Sequence, residues 1–217
     1  MATKARTRKQ SRSERESPGA GDLLILELQE IHSAETQLAR QLPRLSKAVE
    51  SATLREMLDE RLEEGERIIA DIENALEEVD ASPGRRKNIA AEGLINDVRE
   101  HVQEIERGPA LDSVVIGSIQ KTEHYCIAAW GTARALAQAL EQKAAAGAME
   151  RALKEGGQYD EKLTELAEKE VMPALLSGEA ESGEMEEDDD DEAGTDGGGR
   201  GHGKSQRTRR SEERASK

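Results

Sequence analysis

Residues 24–49 read LILELQEIHSAETQLARQLPRLSKAV, and the apolar side chains recur at Leu24, Leu28, Ile31, Leu38, Leu42, Leu45 and Val49. The steps alternate between four and three residues, and Glu35 falls on the stripe itself, where a leucine would be expected. That spacing is the inward seam of a helix in a bundle. Residues 116–140, IGSIQKTEHYCIAAWGTARALAQAL, repeat it through Ile116, Ile119, Cys126, Trp130, Ala133, Ala137 and Leu140, with Glu123 on the stripe. A carboxylate on such a seam is costly to bury unless it is paired, protonated or bound to a metal.

Two further stretches carry the same signal. One reads Leu54, Leu58, Arg61, Gly65, Ile68, Ile72, Leu76 and Val79, with Glu64 beside Gly65. The other reads Met149, Ala152, Gly156, Asp160, Leu163 and Ala167. Each stretch therefore offers one acid near mid-length: Glu35, Glu64, Glu123 and Asp160. Bundles build metal sites from carboxylates that project inward from several helices. These four are the candidate metal ligands.

Helices are expected over 22–50, with Asp22 as N-cap and a kink or break at Pro43, and over 53–79, opened by the capping-box pattern Thr53-x-x-Glu56. Asp80-Ala-Ser-Pro83-Gly84 is a strong stop, and a short helix over 87–106 ends at Gly108-Pro109. Helices over 111–142 and 144–171 complete the set, with no clear turn between them and Pro173 closing the domain. Four long amphipathic helices and one short insert between the second and third make an all-α four-helix bundle. The folded domain spans 22–176. A basic arm over 1–21 and an acidic-then-basic tail over 177–217 are expected to be disordered.

Composition excludes several classes. Aromatic residues are 1% of the chain and Phe is absent, against the usage of a β-sandwich or barrel. The formal net charge of −15 argues against nucleic-acid binding by the whole chain, leaving the basic arm as the one route to DNA phosphates. No run approaches the roughly 20 apolar residues that span a bilayer. Cys126 is the single cysteine, and a cytoplasmic location is expected. It reads as a small buried hydrophobe. No Ser/His/Asp arrangement, phosphate-binding glycine loop or paired-cysteine motif is present, so the chain reads as more scaffold than enzyme.

Glu35-Thr-Gln37-Leu38, Leu62-Glu63-Glu64, Glu92-Gly93-Leu94-Ile95, Glu123-His124-Tyr125 and Asp160-Glu-Lys-Leu163-Thr-Glu-Leu-Ala167 together resemble the YciE/YciF group of ferritin-like proteins, over about Leu23–Ala167. The resemblance implies a ferritin-like bundle with an extra helix, a homodimer, and an association with bacterial stress. It carries over Glu35, Glu64, Glu123 and Asp160, and departs at three places. Arg61 stands where the group has a His, Cys126 where it has a Glu, and Gly156 where it has an acid. Two readings follow. One is a partly degenerate dinuclear carboxylate site for iron or manganese. The other is a metal-free scaffold whose buried acids pair with Arg61, since a guanidinium stays charged and pairs bidentately with carboxylates.

Overall fold

The computed structural model describes residues 17–178. The helices are α1 (Ala20–Ala48), α2 (Ala52–Glu77), α3 (Ile89–Glu104), α4 (Pro109–Ala139) and α5 (Lys143–Leu166). α1 packs on α2 and α4, and α5 packs on α2 and α4, so these four close the bundle. α3 is the expected short helix, lying against α1 and α4 on the crossover from α2. The basic and acidic runs of the two ends, at 1–16 and 179–217, lie outside the described residues. Among the described residues no helix is long and apolar enough to cross a membrane.

The helix ends differ from the expected ones in instructive ways. α1 starts before Asp22, whose carboxylate accepts a 2.9 Å bond from the Gly19 N–H at the third helical position. The helix also runs unbroken through Pro43. Proline there removes one hydrogen bond near the C-terminal end, while Leu42 and Leu45 on either side are fully buried. α2 is capped by Ser51, whose hydroxyl accepts from the Leu54 N–H at 3.1 Å, and Thr53 lies inside the first turn. Gly108-Pro109 opens α4 as well as closing the preceding segment, because a proline at the first helical position has no bond to lose.

α4 and α5 are separated by Glu141, which adopts a left-handed φ of 58°. Gln142 N–H bonds Ala137 C=O at 2.8 Å and Glu141 N–H bonds Gln138 C=O at 3.2 Å, a Schellman closure made without glycine. Asp80 ends α2 in the same way, at φ 55°. Pro173 does not end the helix. The chain widens to a π-turn over Ala167–Val171 and continues helical over 172–178. In that turn the Met172 N–H reaches Ala167 C=O, just ahead of the residue that lacks an N–H.

Two buried polar residues tie distant segments together. Asp112 accepts from the Glu50 and Ser51 N–H groups at 2.8 Å each, pinning the α1–α2 turn to α4. Asn88 caps α3 through the Ala91 N–H at 3.0 Å and donates to Glu30 C=O at 3.1 Å and to the Tyr125 hydroxyl. The apolar core is divided in two. One part gathers Leu38, Leu42, Leu58, Ile119 and Leu163, the other Leu28, Ile31, Ile68, Trp130 and Ala152. Along α1, α2 and α4 the division falls at Glu35, at Arg61–Glu64 and at Glu123, and along α5 it falls at Gly156.

Candidate functional site

A polar layer separates the two halves of the core. Glu35 sits between Ile31 and Leu38, Arg61 between Leu58 and Ile68, and Glu123 between Ile119 and Cys126, and all three are fully buried. Arg61 Nη2 donates to both Glu35 oxygens, at 3.2 and 3.0 Å, and its Nε donates to Glu123 Oε2 at 2.9 Å. One guanidinium thus bridges α1 and α4 from α2. Its Cζ also lies 5.9 Å from the centroid of the Trp130 ring, within cation–π range. Burial alone would lower the Arg61 pKa, but Glu35 and Glu123 more than offset it and hold the side chain charged.

The charges do not balance. Arg61 brings one positive charge to two carboxylates in a dry seam. Burial pushes the Glu123 carboxyl up to about 7, against Arg61, which opposes the rise, and with Glu35, which adds to it. Glu123 Oε1 has no protein partner and is where a proton would sit. The Cys126 thiol is pushed well up by burial and by the same two carboxylates, so it is inert packing, as its place on the stripe suggests.

Glu64 lies one turn from Arg61 and is buried, but its Oε1 makes no bond. It lines a cleft of about 270 Å³ between α2 and α5 with Glu60, Glu155, Tyr159 and Lys162. Burial raises its pKa, with Arg61 acting the other way.

Asp160 does not join the layer. Its side chain is about 20% exposed, 3.2 Å from the exposed His124 Nε2, and accepts from Gln120 Nε2 at 3.2 Å. Tyr159 takes the seam instead, because the α5 stripe steps from Gly156 by three to Tyr159 and then by four to Leu163. His32 also stays out of the layer, contacting Glu73 Oε1 at 3.0 Å. Among the described residues no histidine faces the seam.

This donor set does not fit a dinuclear metal centre, which in bundles takes four carboxylates and two histidines. Three of the four oxygens of Glu35 and Glu123 already accept from Arg61. Among the described residues, no three His, Cys, Asp or Glu side chains converge to hold a metal ion.

Gly156 explains how the layer closes on the α5 side. A Cβ added there would fall 2.5 Å from Trp130 Cζ3 and 2.7 Å from Glu123 Oε1. Trp130 fills that space, and it is fully buried. Gly157 has nothing within 4 Å of a Cβ. Alanine is favoured over glycine by up to about 1 kcal/mol in a helix, so Gly157→Ala is expected to stabilise. Gly156→Ala is expected to destabilise by about 1–2 kcal/mol, the helix gain being outweighed by overpacking. Urea unfolding of the two variants checks this, and equal effects of the two would contradict the packing.

The fold and the layer can be set beside known proteins. Residues 19–175 match the family described as Domain of unknown function (DUF892). Protein YciF of Escherichia coli strain K12 is 36% identical over 147 residues, covering 67% of this chain and 89% of that protein. The crystal structure of the E. coli stress protein YciF matches with a TM-score of 0.67 at 35% identity, over 70% of this chain and 96% of that one. YcfI from Rhodopseudomonas palustris matches with a TM-score of 0.66 at 28% identity, with the same two coverages. A family match that spans the bundle, a relative at 36% identity and the shared fold agree: the chain belongs to the DUF892 family, the YciE/YciF group of ferritin-like proteins.

Proposed function

We propose that this chain is a stress-associated bacterial bundle protein that acts as a metal-free scaffold, with Arg61 supplying the positive charge that a metal would supply at the centre of a ferritin-like bundle. The observation that carries the reading is the fully buried Arg61, bonded to both oxygens of Glu35 and to Glu123. Likeness to the E. coli stress protein YciF supports the stress association. In this reading the bundle works as a homodimer and its charged ends contact other partners.

Metal content of the purified full chain tests the central point. After growth with iron and manganese supplied, the protein is expected to carry well under one equivalent of either. Arg61→His removes the competing cation and sets a His three residues before Glu64, the spacing bundles use for such ligands. That variant is expected to take up more metal than the parent. A stoichiometric metal in the unaltered chain, lost on Glu123→Gln, would overturn the proposal in favour of a working iron or manganese site.

A further inference from the structure

The segment 82–88 carries Arg85, Arg86 and Lys87 beside the middle of α1. Its backbone is fixed there by bonds that use none of these cations. Gln29 Nε2 donates to Ser82 C=O at 2.7 Å, Gln37 Nε2 donates to Asn88 C=O at 3.1 Å, and the Asn88 N–H donates to Ser33 Oγ at 3.0 Å. Gly84 turns the chain at φ 67°, a left-handed conformation that favours glycine. Between the loop and α1 lies a cleft of about 350 Å³, lined by Arg40, Arg85, Arg86 and Lys87 together with Ser33 and Thr36. No carboxylate lines it, in a chain whose formal net charge is −15.

Two of the cations are already committed. Arg86 lies 3.6 Å from Glu30, and Lys87 bonds Glu92. Arg40 and Arg85 have no carboxylate partner among the described residues. Two unpaired guanidiniums thus share one cleft with Thr36, beside a backbone held by three hydrogen bonds, and guanidiniums bond oxyanions strongly.

We propose that this cleft binds a compact phosphate-bearing molecule through Arg40 and Arg85. Guanidinium forks match phosphate oxygens bidentately. A long polyanion is disfavoured, because the acidic remainder of the chain repels it while a small dianion meets mainly the local field.

The test uses the full chain, titrated with inorganic phosphate and pyrophosphate at constant ionic strength and followed by calorimetry. Saturable binding is expected, weakened on the order of tenfold or more in Arg40→Gln/Arg85→Gln, since each lost charge-assisted bond is a substantial part of such an affinity. Lys47→Gln, an exposed cation elsewhere on α1, is expected to leave it unchanged. All three substitutions are at exposed positions, and unaltered melting curves confirm that the variants fold. Absence of saturation overturns the proposal. So does binding that survives the double substitution, which would place it elsewhere on the chain. Binding of a DNA duplex with no response to either phosphate also overturns it.

Discussion

Arg61→Leu is expected to lower the stability of the bundle by about 3–5 kcal/mol at pH 8, the range found when one partner of a buried ion pair is removed. The leucine fits the seam, where Leu58 and Ile68 already pack above and below. What remains is the problem. Glu35 and Glu123 are both fully buried, and the substitution strips them of every hydrogen bond they receive. In a domain of this size each kcal/mol moves the melting temperature by about 2–4 °C, so a loss of roughly 10 °C or more is expected. A melting curve unchanged from the parent would mean that the guanidinium does not sit in the seam.

The same physics predicts a rescue. Glu35→Leu/Arg61→Met/Glu123→Leu replaces the whole polar layer with side chains that continue both halves of the core. Replacing a buried ionic cluster by apolar groups of similar size is neutral to stabilising, by about 1–4 kcal/mol. The triple variant is therefore expected to melt at or above the parent, although it too lacks the Arg61 guanidinium. Strong non-additivity among three residues in direct contact is the mark of a shared network. If the triple variant were as damaged as the sum of its parts, the layer would be three separate packing sites and not one ion-paired unit.

The stripes of α1, α2 and α4 were legible because each repeats its apolar step over many turns, so one polar interruption cannot shift the phase. Glu35 and Glu123 could therefore be placed on the seam, and Arg61 set against them, from spacing alone. α5 was harder to read. Its stripe passes through Gly156, which has no side chain to mark the inward direction, and Tyr159 and Asp160 then both fit within half a turn. The structure chooses the tyrosine, whose ring fills the seam, and leaves the aspartate at the edge with His124. The long-range bonds of Asp112 and Asn88 left no local signal. Their partners lie 62 and 58 residues away in Glu50 and Glu30, and only the fold brings them close. The left-handed turn at Glu141 was equally silent, because it does not use the glycine that usually announces one.

The imbalance of one cation against two carboxylates should make stability fall as pH rises through the neutral range. Burial holds the Glu123 carboxyl at about 7 in the folded chain, against an ordinary value of 4.5. Between those values the folded chain keeps a proton that the unfolded chain has released. The stabilisation is fully present below about pH 4.5 and is lost by the time the pH passes about 7, and its full size corresponds to about 3 kcal/mol. The other acids of an acidic chain also repel one another less as pH falls, so the raw profile mixes both effects. Glu123→Gln separates them. The amide mimics the protonated acid and still offers Arg61 an oxygen, leaving Arg61 and Glu35 as a balanced pair. The variant is expected to match the parent near pH 4 and to be more stable by up to about 3 kcal/mol at pH 8. Urea unfolding at the two pH values measures the difference. A variant less stable than the parent at pH 8 would show that Arg61 outweighs burial and that the Glu123 carboxyl is not raised above its ordinary value.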